Sequence, residues 1–316
     1  MKKIGSELSG TVQTAMPKSK LKLLREYHEI YIMLIPVVLY YILFKYMPMV
    51  GNVIAFQDYS ITRGIFESEF VGLKHFSTFL KDVYFWRLLR NTLMLNLWSL
   101  VLEFPSAIIM ALLLNEVRCL AFKKTVQTVT YMPHFISSVI IAGMVLDFVS
   151  NDGLINSVIN RFGLETVPFI TDPKYFRGIY TISGIWQSVG WNSIIYISAL
   201  SAIDAGLYEA AAIDGASRWR QTFHITLPGL LPTIAIMLIM RIGSMMTTGY
   251  EKIILLYNPT TYETADVIST YVYRQGIRGA QYSYSAAIGV FNSVINFILL
   301  VFANWFSKRT NGSGLF

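Results

Sequence analysis

Apolar residues along this chain gather in long blocks instead of alternating with polar ones. Six blocks can be drawn, at about 30–56, 91–115, 125–150, 178–203, 228–250 and 285–306. Each holds about 20 residues or more, enough for a helix to cross a hydrocarbon layer about 30 Å thick. Each is predicted to be helical, because a span in lipid has no water for its peptide groups and must satisfy them within itself. Lys45 and Pro48 interrupt the first block, so pattern alone does not fix its outer end. Between the blocks, 57–90 reads as a loop and then a short interfacial helix rich in aromatics. Gly153, Gly163, Pro168 and Pro173 punctuate 151–177, and 257–284 is too polar to span. The pattern predicts an all-α polytopic membrane protein with six transmembrane helices.

Composition agrees and narrows the class. Of 316 residues, 54% are hydrophobic and 14% charged, whereas a soluble domain carries about 25% charged residues. A soluble enzyme, a disordered chain and a secreted disulfide scaffold are all excluded, the last because Cys119 is alone. The four His are scattered and no His or Cys pair has ligand spacing, so no metal site is expected. The net charge of +7 bears on orientation, and no nucleic-acid partner is expected. With both termini in the cytoplasm, the inner segments hold 13 Lys/Arg and 7 Asp/Glu, the outer ones 11 and 10. The inner segments are also shorter, and Arg118, Lys123, Lys124, Lys308 and Arg309 flank the spans there, as the positive-inside rule requires. Residues 1–29 are basic (Lys2, Lys3, Lys18, Lys20, Lys22, Arg25) without a cleavage site, so the first block reads as a retained span.

Between the fourth and fifth blocks lies SAIDAGLYEAAAIDGASRWRQTFHITLP. Asp204 can cap a short helix by accepting its orphan amide protons. Leu207, Tyr208, Ala210, Ala211 and Ala212 favour a compact helix with a small-residue face. Gly215 falls where that helix ends and the backbone needs positive φ, and Pro228 suits the first turn of the next span. The segment is predicted to be a short helix lying across the membrane surface and offering a knob to a partner.

The string Glu209-Ala210-Ala211, three residues, Gly215, nine residues, Ile225, one residue, Leu227-Pro228 resembles, at every position, the EAA loop of permease subunits of binding-protein-dependent ABC importers. Two further stretches, IPVVLYYILFKYMPMVGNVIAFQDY near the start and the run from Arg241 to the end, resemble the carbohydrate branch. More narrowly, they resemble permeases for oligosaccharides derived from polysaccharides such as pectin or alginate. The likeness covers nearly all the chain beyond about residue 25. It implies a multi-pass protein of the cytoplasmic membrane that forms the translocation pathway with a second homologous permease. Two ATPase subunits would sit below, carrying ATP and magnesium, with no cofactor on this chain. An extracellular substrate-binding protein would deliver the oligosaccharide, which is acidic if it comes from pectin or alginate. Glu209 would pair with a basic ATPase group, Ala210 and Ala211 would pack, and Gly215 would permit close approach. Ile225, Leu227 and Pro228 complete the motif. The implied organisation is a basic cytoplasmic segment at 1–29, a six-span permease domain at 30–306 with the EAA loop at 204–228, and a cytoplasmic tail at 307–316. No G-x-x-x-x-G-K-[ST] phosphate loop occurs, so the chain is not the ATPase and is non-catalytic.

Charges inside spans are costly and point to function or to partnered packing. Glu103 and Arg241 each lie about 13 residues into their blocks, so about 20 Å along their helices, and an ion pair is possible. It would serve either as a clasp between helices or as part of the pathway. Ser188, Asn192 and Tyr196 recur at i, i+4 and i+8, with Gln187 and Trp191 beside them. Amides and hydroxyls suit sugar OH groups and an aromatic suits the ring face; interhelical packing is the equal alternative. For the Asn292–Asn296 pair, and for Met245 and Met246, packing is the favoured reading. Asp147 and Lys45 are expected to snorkel at an interface.

Two rivals remain. A gradient-driven secondary transporter predicts internal repeats, and no repeat is evident. An ABC permease for amino acids or peptides would share the EAA loop and differ in cargo.

Overall fold

The computed structural model describes residues 27–311 and residue 314. Residues 1–26 of the expected basic segment, and the tail beyond 311 apart from residue 314, lie outside the described residues. The chain divides into two units, 1–53 and 54–316. The described part of the first is helix α1, His28–Phe56, which runs to the boundary and just past it. It changes from α to a π turn at Ile42–Tyr46 and to 3₁₀ over Val50–Phe56. The first block is thus helical through Lys45 and Pro48 and ends where the apolar pattern does.

In the second unit a two-residue ladder pairs β1, Gln57–Asp58, with β2, Glu69–Phe70. Short helix α2, Lys74–Leu80, follows. The second span, α3, is Phe85–Glu116, longer at its start than the block predicted. After it come α4 (Leu120–Tyr131), α5 (Ser138–Val149), α6 (Leu154–Arg161) and α7 (Pro173–Leu200). Helix α8 (Ala205–Ile213) precedes α9 (Arg218–Gly243), α10 (Tyr250–Leu256), α11 (Ile268–Tyr273) and α12 (Tyr282–Asn311). Five of the described helical stretches are long and apolar enough to cross a membrane by themselves. The fourth predicted span reaches that apolarity only when α7 is joined to α8, across a bend of 73°.

Helix α7 is central, packing on α3, α4 and α9, while α9 packs on α12. Apolar side chains gain little from leaving lipid for protein, so close approach and interhelical hydrogen bonds must hold such helices together. Small residues supply the approach: Ala107 and Ala111 of α3 meet Tyr196 and Leu200 of α7 and Leu230 of α9. Gly190 of α7 is buried where a Cβ would overlap the Thr130 carbonyl of α4.

Two predicted spans are interrupted. The third block, 125–150, is not one helix. After Tyr131 the chain makes a 3₁₀ turn at Met132–Phe135, passes through extended Ile136, and restarts at α5 with Ser137 as N-cap. Pro133 has no amide proton and cannot continue a regular ladder, while Ser137 accepts from the Ile140 amide. The fifth helix ends at Gly243, not near 250, and the chain turns through Ser244–Gly249 before α10.

Candidate functional site

The predicted pair forms. Arg241 Nη2 lies 3.0 Å from Glu103 Oε2, with side-chain exposures of 39% and 14%. Glu103 ends a π turn, Ser99–Glu103, inside α3. Pro105, two residues on, lacks the amide proton a regular α ladder needs, which accounts for the widened turn. That turn brings Ser99 Oγ to 2.9 Å from Glu103 Oε2. From α7, Ser188 Oγ lies 2.9 Å from Glu103 Oε1 and shares its proton with the Gly184 carbonyl. Two hydroxyls and a guanidinium therefore serve one carboxylate between three helices.

The stripe on α7 divides. Asn192 and Tyr196 join Glu103, Arg241, Met237 and Met240 around a cavity of about 330 Å³. Ser188 reaches the same carboxylate. Trp191 does not join them: its indole stacks on His134 at 4.6 Å, with Phe135 edge-on, where α4 gives way to α5. Half-buried Gln187 lies one residue off the stripe and outside that cavity. Extending the i, i+4 register backwards adds Gly184 and Tyr180, which the sequence reading passed over.

It also passed over Lys252. This residue of α10 is half-buried, with its ammonium 5.2 Å from the centre of the Tyr180 ring. Lys252 Nζ and Glu103 Oε2 each lie 3.8 Å from the point a Gly184 Cβ would occupy. The only sequence signal was its nearness to the fifth block, which the chain leaves earlier than expected.

That early exit puts non-helical backbone beside other helices, where its polar groups need partners. The Asn pair of α12 provides them. Asn296 Oδ1 accepts from the Met246 amide at 2.8 Å, its Nδ2 donates to Thr247 Oγ1, and Asn292 Nδ2 donates to the Met246 carbonyl. Asn96 of α3 donates to Thr248 Oγ1 at 2.7 Å. These asparagines hold the break open, so their role is more specific than packing.

The predicted short helix, its cap and its glycine end all form in α8. Asp204 Oδ1 accepts from the Gly206 amide at 2.9 Å. Gly215 has φ +75°, and the Ala216 amide donates back to the Ala211 carbonyl at 2.9 Å, the bond of a glycine-terminated helix end. A Cβ on Gly215 would meet nothing within 4 Å, so here the glycine serves backbone conformation. Tyr208 Oη and Thr226 Oγ1, 3.0 Å apart, tie the helix to the start of α9. None of the nine residues of α8 is buried; Glu209 and Ala210 are exposed and Ala211 is half-buried. Pro228 is exposed, and Ile225 and Leu227 are half-buried at the start of the next span.

A second polar cluster lies at the ends of α2, α3, α11 and α12. Asp82 Oδ2 accepts from Tyr271 Oη at 2.7 Å and from Tyr284 Oη at 2.8 Å, and its Oδ1 from the Tyr84 amide. Burial pushes the Asp82 carboxyl up, but the bonds from Tyr271, the Tyr84 amide and Tyr284 outweigh it and hold it below its ordinary value. Nearby, fully buried Asp266 receives Arg274 bidentately at 3.1 and 2.7 Å, with Arg87 at 3.8 Å. Burial alone would lower the Arg274 guanidinium; the bonds and charge of Asp266 raise it instead. Among the described residues no group of His, Cys, Asp and Glu is arranged to hold a metal ion.

An almost entirely helical membrane chain with an exposed EAA helix just before one span is the architecture of a transport-complex membrane subunit. Residues 103–312 match the profile described as "Binding-protein-dependent transport system inner membrane component", and the chain belongs to that family of ABC importer permeases. It is 46% identical over 288 residues to the polygalacturonan/rhamnogalacturonan transport system permease protein YteP of Bacillus subtilis, covering 91% of this chain and 90% of the relative. It is 44% identical to protein LplB of the same organism, over 91% of each chain. Among solved structures it resembles a chain of a bacterial ABC transporter involved in import of the acidic polysaccharide alginate. The TM-score is 0.84 at 43% identity, covering 92% of this chain and 99% of that one. A structure of the bacterial alginate ABC transporter with its pentasaccharide-bound periplasmic protein gives a TM-score of 0.86 at 43% identity, covering 94% of this chain and 99% of that one.

Proposed function

We propose that this chain is a translocation-pathway subunit of an ATP-driven importer that carries oligosaccharides across the cytoplasmic membrane. The observation that carries the reading is the combination of an unburied α8, bearing Glu209, Ala210 and Ala211 of the EAA string, with near full-length similarity to a polygalacturonan/rhamnogalacturonan permease and to a chain of an alginate importer. Two ATPase subunits, holding ATP and magnesium, would engage α8 through Glu209, Ala210 and Ala211, with Gly215 fixing its end. Ile225, Leu227 and Pro228 would pass the motion into α9. A second homologous permease would complete the pore, and an extracellular binding protein would present the cargo. Both termini and α8 would then face the cytoplasm, with the Asp82 and Asp266 clusters outside. On the cavity side of α7, Asn192, Tyr196 and Ser188 with Glu103 and Arg241 would contact cargo, while Trp191 and Gln187 would support the helix. Because the cavity opens onto both charges, a pathway role for the pair is favoured over a pure clasp.

The test is uptake by the reconstituted complex with its binding protein. Oligosaccharides derived from pectin or alginate should stimulate ATP hydrolysis and accumulate inside; stimulation by amino acids or short peptides instead would overturn the reading.

A further inference from the structure

We propose that Lys252 binds a carboxylate of the passing cargo and thereby selects acidic over neutral oligosaccharides. The proposal rests on the pathway reading above and adds a residue and a ligand chemistry to it. Arg241 and Lys252 place two cations about Glu103, and Glu103 is the acidic group that acts on Lys252 electrostatically. Glu103 already accepts from Ser99, Ser188 and Arg241. Among the described residues no carboxylate comes within 4.0 Å of the Lys252 ammonium. The cluster therefore has one more positive charge than negative, in surroundings where an uncompensated charge is costly and attracts an anion strongly.

Geometry keeps the ammonium reachable: Lys252 is half-buried, and Gly184 carries no side chain at the point 3.8 Å from both Lys252 Nζ and Glu103 Oε2. One face of α7 then runs Tyr180, Gly184, Ser188, Asn192, Tyr196, in steps of four residues. Lys252 sits over the aromatic at one end, and the cavity beside Arg241 opens at the other. A sugar ring moving along this face would meet flat aromatic surface, hydroxyl and amide donors, and two cations near Glu103. A uronate carboxylate could pair first with one cation and then with the other.

The experiment uses the full reconstituted complex with its binding protein. Its probes are a trigalacturonide, a trimannuronide and the carboxyl-reduced form of each. Lys252→Met keeps length and loses charge; Lys252→Arg keeps charge. In Lys252→Met, acidic uptake per assembled complex should fall about tenfold or more, and the acidic-to-neutral ratio should fall with it. Lys252→Arg should stay within about threefold of the parent for acidic cargo. Unchanged acidic uptake in Lys252→Met, equal loss of acidic and neutral cargo, or equal loss in both variants would overturn the proposal. Failure of Lys252→Met to assemble while Lys252→Arg assembles would make the lysine a structural charge and overturn it as well. A parent complex that carries none of these sugars refutes the oligosaccharide reading itself, and this proposal falls with it.

Discussion

The Glu103–Arg241 pair can be dissected with three variants whose order of severity follows from the neighbouring groups. Arg241→Gln removes the guanidinium but leaves Glu103 with two hydroxyls and with Lys252 beside Gly184. Stranding one member of a fully buried pair costs about 3–5 kcal/mol, whereas an exposed pair contributes about 0–1 kcal/mol. Exposures of 39% and 14% place this pair between those limits, so the expected loss is about 1–3 kcal/mol. Glu103→Gln should cost more, because it leaves Arg241 and Lys252 as two cations with no anion between them. The double Gln variant leaves Lys252 without its carboxylate, so it should recover part of the Glu103→Gln loss without returning to the parent, giving a coupling energy of about 1–3 kcal/mol. The assay is the fraction of assembled complex that survives graded heating, read by size-exclusion chromatography. Additivity of the two changes within about 0.5 kcal/mol, or a milder effect of Glu103→Gln than of Arg241→Gln, would refute the reasoning. Uptake separates the two roles: in a pathway it stays low in the double variant although assembly recovers in part.

Asn296→Leu should strand the Met246 amide and cost about 1–3 kcal/mol, seen as earlier loss of complex on heating; parental stability would contradict the backbone-bracing role. Asp82 titrates below its ordinary value in the fold, so its stabilisation is complete above the unfolded value of about 3.9 and is lost as pH falls through the lower folded value. Acid titration followed by tryptophan fluorescence should therefore separate the parent from Asp82→Asn at neutral pH, with the curves converging below about pH 4. Equal stability of the two at neutral pH would contradict this. Exposed Cys119, at the start of α4, should react with a membrane-impermeant maleimide only after cells are permeabilised; labelling in intact cells would reverse the orientation.

How much of this was legible in the sequence depended on whether the cause was local. The α8 segment was fully readable, because its cap at Asp204 and its left-handed end at Gly215 are set within a dozen residues. The Glu103–Arg241 pair was readable from depth alone, since few residues could satisfy either charge. The break after Gly243 was not readable. Its amides and carbonyls are satisfied by Asn292 and Asn296, about 50 residues away along the chain, and an apolar block shows only that a helix is affordable there. The turn at Met132–Phe135 had local signals, Pro133 and Ser137, but they lay inside a run apolar enough to read as continuous. Lys252 was missed as a consequence of the first error: once the fifth span ends at Gly243, the residue moves from a presumed outer loop to the flank of Glu103. The Asp82 and Asp266 clusters join residues distant in sequence, beyond the reach of periodicity.

The central claim is that α8 couples this chain to an ATP-hydrolysing partner. It is tested most directly by uptake through the reconstituted complex carrying Glu209→Ala or Gly215→Val. The first removes an exposed charge without touching a span; the second forces a β-branched residue into φ +75°, at a cost of about 1–2 kcal/mol confined to the helix end. Both variants should insert and bring the second permease into the membrane. Oligosaccharide uptake should drop about tenfold or more, as expected when a buried charged contact at an interface is lost, with the ATPases released or hydrolysing ATP without transport. Parental uptake in both variants would contradict the account.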